Sequence, residues 1–481
     1  MPSTAKNLEH LPNELLVQCF SHLCKSSHTS SFIDNSPDIQ RLRLVSKKCH
    51  ANSSPLLIFS ATVYITSASL FHLEELCSHP IFGQSINQVE INCSYYDVCM
   101  AESRGVYSYR CGSKLYQNLG NNPVDEMALY RMSDDWSALN KRGFLEKKPK
   151  LTENQQWLLD VHGQYKKLCE DQVRVKIDNA HIQRICTALM RLPQLHSLSL
   201  TDDSYYPVRR HRALSDADIL ERCLLTSTWK GSFPTAFFIR PPVEIIPDLF
   251  TALAQTDIRP TRIAIDVKPP NNLHCLKLPE PAQQAINTVV SRARNLSFKM
   301  QQWARKDSIT EDNSRPRSEM LALCSLTSSY FDCSTLESLN LSFDEFPALH
   351  EPPTVSISEV LPLATQTWPQ LHTLSLRYIP LTTADAKILV GSLRRQLRSF
   401  NCWCPWVVQG SWIDVINAFR ELDTLQSFKI DYPKGGEFTD LPWDRSSTFP
   451  KQEVEEYVLR KAAENPMPRY FRTAEPDDVV P

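Results

Sequence analysis

The sequence predicts an α/β fold in which a small three-helix unit leads into a curved parallel sheet of irregular strand–helix repeats with helical insertions. Three features predict it. An apolar helical pattern opens directly behind Pro12, a cadence of the form Leu-x-x-Leu-x-Leu recurs along the chain, and helix-patterned stretches separate its last copies. At 481 residues the chain exceeds what one ordinary hydrophobic core serves. Two or more units are expected, unless most of the chain is an array that grows by adding repeats.

The first helix starts at Pro12, whose missing N–H and fixed φ suit a first turn, and Glu14 follows at the positive end of the helix dipole. Leu15, Cys19 and Leu23 form one i, i+4 row and Leu16 and Phe20 a second, together a broad apolar stripe. Ser36-Pro37-Asp38 opens a second helix, with Ile39, Leu42 and Val45 at helical spacing. Ser46 caps a third short piece that starts basic at Lys47-Lys48 and ends apolar at Pro55-Leu56-Leu57-Ile58-Phe59. So small a unit keeps much apolar surface in water, and the remainder predicts an interface.

The order Leu11-Pro12-Asn13-Glu14-Leu15-Leu16, then Leu42-Arg43-Leu44-Val45-Ser46-Lys47-Lys48, then Pro55-Leu56-Leu57-Ile58-Phe59 resembles the F-box. That motif docks substrate receptors on the Skp adaptor of cullin-RING ubiquitin ligases. The resemblance covers residues 8–59. It implies that Leu11, Pro12, Leu15, Leu16 and Val45 lie in or near an adaptor interface, with Phe20, Leu23 and Leu42 supporting them. Two features depart from the motif. Residues 24–35 make a longer, Ser-rich connection, and Cys49-His50 stand where many F-boxes carry a tryptophan.

Residues 60–95 read as a first strand–helix–strand unit, with strands at 62–66 and 86–92 around a helix at 69–77. Residues 96–180 read as an irregular, partly helical insertion. Its first part is rich in Tyr, Ser, Asn and charge, and its second carries Trp157, Leu158, Val161, Tyr165 and Leu168 at helical spacing. Over 181–435 the leucine cadence dominates. A helix at 181–192 feeds a strand at 195–200, and strands follow at 336–341, 371–376, 397–402 and 425–430, with a further rung at 262–267. The intervals from Leu371 to Leu397 and from Leu397 to Leu425 are about 26 and 28 residues, inside the leucine-rich-repeat range of roughly 20 to 29. Helices at 383–393 and 412–419 complete the last repeats; a non-repeating α/β domain is the other arrangement these strands allow. Residues 436–481 hold an amphipathic helix at 452–463 and a Pro-rich acidic tail from 474 expected to be disordered. The whole is similar to F-box proteins of filamentous fungi, in which an irregular leucine-rich-repeat horseshoe presents the target to the ligase.

A net charge of −2 argues against a protein built mainly for nucleic acid or an anionic membrane. No apolar run approaches membrane-spanning length and residues 1–7 lack the apolar core of a signal peptide, so cytosol or nucleus is the expected location. Fifteen cysteines, an odd number without a framework spacing, agree with a reducing compartment. No GxGxxG, P-loop or GxSxG pattern occurs. Cys402 and Cys404 are too close for a zinc pair, and His72, Cys77 and His79 lack a fourth ligand at usual spacing. Cys93, Cys99 and Cys111 read as packed thiols, and Asp202-Asp203 as an acidic turn. No catalytic residue, metal or cofactor is expected.

The expectation is therefore a non-enzymatic substrate receptor whose N-terminal helices dock the Skp adaptor, and through it a cullin-RING ligase, while the repeats hold a protein target. Exposed aromatics at Tyr205, Tyr206, Trp403 and Trp406 are candidate target contacts, though the same rings can equally pack against the repeats. A repeat scaffold without a degradative role and an α/β hydrolase using a cysteine or paired acids are the competing functions.

Overall fold

The computed structural model describes residues 11–24, 37–107, 153–202, 224, 226–229, 241–300, 317–343, 355–361, 363, 368–439 and 449–474. Helices α1 (Asn13–Cys24), α2 (Pro37–Leu42) and α3 (Lys47–Ser53) form the N-terminal unit. Ser46 caps α3 by accepting the Cys49 N–H at 3.1 Å, and a single 3-10 turn over Ser54–Leu56 ends it at Pro55. Leu16, Phe20, Ile39 and Cys49 are the buried centre of this unit, with Leu11, Leu42, Leu56 and Leu57 packed around them. Lys48 Nζ donates to the Leu11 carbonyl at 2.8 Å and so ties α3 to the start of α1.

A parallel sheet follows, built from β1 (Ser60–Tyr64), β2 (Gln88–Asn92), β3 (Ser197–Thr201), β4 (Arg262–Val267), β5 (Asn295–Met300), β6 (Ser338–Phe343) and β7 (Thr373–Arg377). Two more strands, β9 (Ser399–Trp403) and β11 (Ser427–Asp431), complete nine, and their spatial order is their order along the chain. The register is shared from end to end. Ala61, Val89, Leu198, Ile263, Leu296, Leu339, Leu374, Phe400 and Phe428 form one row, and the residues two positions on form a second. Because side chains alternate across a strand, both rows turn to the same side and are buried there. Each join is set before the strand begins. The Phe59 carbonyl accepts from Asn87 and Gln88, that of Thr261 from Arg294 and Asn295, and that of Arg398 from Gln426 and Ser427.

Helices cover the apolar rows. Ser67–Ser78, Ala180–Leu189, Ile245–Ala254, Glu280–Val290, Arg317–Tyr330, Thr383–Leu393 and Trp412–Phe419 share one buried cluster with the strands. Side chains fix the starts of three of them, and Thr66 caps the first by accepting from Ser69 N. Thr382 and Asp385 form a reciprocal capping box, at 3.0 and 2.7 Å, and Ser411 caps the last of these helices. A separate cluster joins the helix Glu153–Lys176, through Val161, Tyr165 and Cys169, to Met100, Ala101 and Tyr107. The helices Lys451–Val458 and Met467–Ala474 follow, and Val454, Val458 and Met467 join the main core, the first helix beside β11 and the second against the helix Trp412–Phe419.

Three short strands not anticipated from sequence, β8 (Pro380–Thr382), β10 (Trp406–Gln409) and β12 (Lys434–Gly435), pair in parallel as a second, smaller sheet. The chain reaches it through left-handed residues that directly follow β7, β9 and β11: Tyr378 (φ 52), Cys404 (φ 49) and Tyr432 (φ 51). Non-glycine residues adopt this conformation uncommonly. Here the cost is offset by hydrogen bonds to the next repeat, from Tyr378 N to Trp403 O at 2.8 Å and from Cys404 N to Asp431 O at 2.7 Å.

The mixed α/β class, the predicted strands and the helices at 383–393 and 412–419 are thus present, and three details differ. The 60–95 unit is continuous with the main sheet, because β2 pairs directly with β3. A strand at 295–300, not anticipated, fills the gap between β4 and β6. The helix expected over 452–463 stops at Val458, where Arg460 turns left-handed (φ 62), and a second helix follows it. The acidic tail beyond 474 and the insertion over 108–152 lie outside the described residues.

Gly435 and Gly163 test this packing in opposite directions. A Cβ on Gly435 (φ 67) would lie 2.2 Å from the Val407 carbonyl and 2.4 Å from the Trp406 ring, whereas one on Gly163, inside a helix, meets nothing within 4 Å. Gly435→Ala is expected to lower the unfolding free energy by ~1–3 kcal/mol and Gly163→Ala to raise it by up to ~1 kcal/mol, read from urea midpoints.

Candidate protein-docking surfaces

The N-terminal unit divides its two apolar rows. Leu16 and Phe20 turn inward, at 0% and 2% exposure, and hold the helices together. Leu15, Cys19 and Leu23 turn outward, Leu15 keeping 46% and Leu23 40% of its surface in water. The turn between α2 and α3 presents Leu44 at 86% and Val45 at 66%. This turn is rigid in hydrogen-bond terms, since Leu44 N bonds Arg41 O and Val45 N bonds Leu42 O. Of the residues the F-box resemblance selects, Pro12, Leu15, Leu23 and Val45 are therefore solvent-exposed, Leu11 and Leu42 are half-buried, and Leu16 and Phe20 are buried. Leu44, the most exposed large apolar residue of the described chain, had not been selected; its place in the Leu-Arg-Leu-Val run was the available signal. Exposed leucines on both a helix row and a turn exceed what a solvated helix needs.

The second surface is the sheet face opposite the apolar rows. Parallel sheets are usually covered on both sides by helices and read as continuous apolar runs. Here alternate residues are mostly polar: Ser199, Ser297, Asn340, Ser375 and Asn401 occupy one row in register, broken only by Ala264 between the first two. At the carboxyl ends of the strands the row changes to charge and ring. Asp266 accepts from Lys299 at 2.7 Å, and further along stand Arg377, Trp403 and Asp431. The Arg377 guanidinium lies 5.8 Å from the Trp403 ring centroid, and Trp403 meets Tyr432 edge-on at 4.8 Å.

The four aromatic candidates separate. Trp403 is 36% exposed on this face, while Trp406 is buried in β10, where its ring occupies the space that a side chain on Gly435 would need. Trp406 is thus a packing residue. Tyr205 and Tyr206 lie outside the described residues.

Groups with chemical potential are engaged structurally. Asp202 is fully buried and accepts from the backbone N–H groups of Trp229 (2.6 Å) and Lys268 (2.9 Å), tying the end of β3 to the end of β4. His79 Nδ1 accepts the N–H groups of Ile81 and Phe82. Burial pushes the thiols of Cys77, Cys169 and Cys186 up to about 11 and those of Cys93 and Cys402 further, so all five stay protonated near neutral pH. Among the described residues no three His, Cys, Asp or Glu side chains gather as a metal site, and no helix is long and apolar enough to cross a membrane.

No protein-family model matches the chain, and no curated protein matches its sequence.

Two predictions follow from these placements. Leu16→Ala is expected to cost the N-terminal unit ~2–5 kcal/mol and Leu15→Ala about 0.5 kcal/mol or less, seen as loss or retention of amide-exchange protection in α1. His181 is buried, and burial first and the Lys176 charge second lower its pKa from 6.5 to about 4. The unfolded chain then binds the extra proton between these values, so stability should fall as pH drops from 6.5 toward 4. Replacing His181 with Gln should flatten that part of a stability–pH curve.

Proposed function

We propose that the protein is a substrate receptor of a Skp-cullin-F-box ubiquitin ligase and has no catalytic centre of its own. Its N-terminal unit docks the Skp adaptor, and its sheet, an irregular leucine-rich-repeat horseshoe, holds a protein target. The observation that carries this is the split of one short helix into a buried row, Leu16 and Phe20, and a solvent-facing row, Leu15 and Leu23, beside the exposed Leu44 and Val45. A helix that only supported a core would have no use for the second row. The adaptor covers these leucines, and the receptor then acts by proximity, raising the effective concentration of a target lysine near the charged ubiquitin carrier.

The polar sheet face supports the second half of the proposal. A solvated face of small side chains, ending in exposed Arg377 and Trp403, leaves room for another chain to lie across the strands. The competing hydrolase has less support, because the described thiols with resolved shifts are held protonated by burial.

Co-expression with a Skp-type adaptor tests the proposal. Wild type is expected to co-purify with the adaptor, and Leu15→Asp with Val45→Asp to weaken binding by ~2–4 kcal/mol, about 30-fold or more, with α1 still protected from exchange. Absence of binding by the folded wild type would sink the assignment.

A further inference from the structure

The cationic end of the sheet is chemically unlike the rest of the open face. Between β4 and β5 the charges cancel, Lys299 being paired with Asp266 at 2.7 Å. On β7, β9 and β11 they do not. Arg377 and Lys429 are exposed and make no ion pair among the described residues, whereas the one carboxylate of this patch, Asp431, is already held by Lys451. Lys451 Nζ also lies 4.6 Å from the Tyr432 ring centroid, and Tyr432 in turn backs Trp403. The result is a shelf with two cations that have no carboxylate partner among the described residues, Arg377 resting against the rings of Trp403 and Tyr378, and a partly exposed indole backed by Tyr432 and by the helix Lys451–Val458.

The register sets its dimensions. Arg377 aligns with Trp403 on the neighbouring strand, and Lys429 aligns with Asn401 and Ser375, one pleat repeat back. Two strand spacings and one pleat repeat put the Cα atoms of Arg377 and Lys429 roughly 12 Å apart. An extended chain covers that distance in about four residues. Ser375 and Asn401, lying between, are short enough to let a backbone approach and can hydrogen-bond it.

We infer that this shelf, formed by Arg377, Trp403 and Lys429, binds an extended acidic segment of a partner protein, two of its carboxylates meeting the cations while an apolar side chain between them rests on Trp403. The inference rests on the receptor proposal in calling that partner the target; the binding itself does not require the adaptor. A protein segment fits better than a nucleic acid, because Asp431 and Asp266 share the row and the chain carries a net charge of −2.

Fluorescence anisotropy on the full chain decides it, with three labelled probes: a short peptide alternating glutamate and leucine, its lysine–leucine counterpart, and single-stranded oligouridine. The acidic peptide is expected to bind, more weakly as salt rises, and to lose about tenfold or more in affinity in Arg377→Glu/Lys429→Glu and several-fold in Trp403→Ala. Adaptor binding by the same variants should match wild type, and an unchanged urea unfolding midpoint shows that their sheet folds. The inference is overturned if wild type does not bind the acidic peptide, if the lysine peptide or oligouridine binds as well or better, or if the variants bind the acidic peptide like wild type. Peptide binding that survives where adaptor docking fails would refute the receptor proposal alone.

Discussion

In-register parallel pairing is the constraint from which the rest of the molecule follows. Once Ala61 stands opposite Val89 and Val89 opposite Leu198, each later strand must place its own apolar residue in the same row, or turn every side chain to the wrong face. At seven of the eight joins the carbonyl that precedes a strand holds the start of the next through two N–H groups, and at the eighth the His196 carbonyl holds the Arg262 N–H, which prevents such a slip. Helix caps at Thr66, Thr382 and Ser411 then fix where three of the covering helices begin. The open polar face is the necessary complement, since alternation that buries one set of residues must display the other.

The same economy governs the N-terminal unit on a smaller scale. Three short helices close over Leu16, Phe20, Ile39 and Cys49, and the volume they enclose is too small to take the second leucine row as well. The long, serine-rich connection before α2 costs little, because loop-closure entropy grows slowly with length. Exposed apolar surface in this unit is therefore a result of size, and a partner that covers it gains what the fold itself could not use.

Legibility in the sequence followed the strength of each local signal. The strands at 197–201 and 338–343 and the helices Thr383–Leu393 and Trp412–Phe419 were readable because leucine spacing and cap residues agree there. The strand Asn295–Met300 alternates Leu296, Phe298 and Met300, but Ala293-Arg294 replaces the usual leucine lead-in. The three strands of the small sheet span four residues or fewer, too few to display a period, and depend on left-handed turns at Tyr378, Cys404 and Tyr432 that no composition rule selects. Trp406 was ambiguous for the same reason: its burial is decided by Gly435, 29 positions later. On the N-terminal unit the leucine rows were legible, but which row would be buried depended on where α2 and α3 crossed α1.

Agreement between strand order and chain order has a consequence for synthesis. A strand leaving the ribosome finds its only required neighbour already in place, so the sheet can lengthen in one direction without waiting for distant sequence. At every stage until the last, however, the growing edge presents unpaired N–H and C=O groups. Only when the helix Lys451–Val458 emerges do Val454 and Val458 settle beside β11. A ribosome stalled before residue 451 would therefore hold a nascent chain that is nearly complete in its strands yet still adhesive at its leading edge.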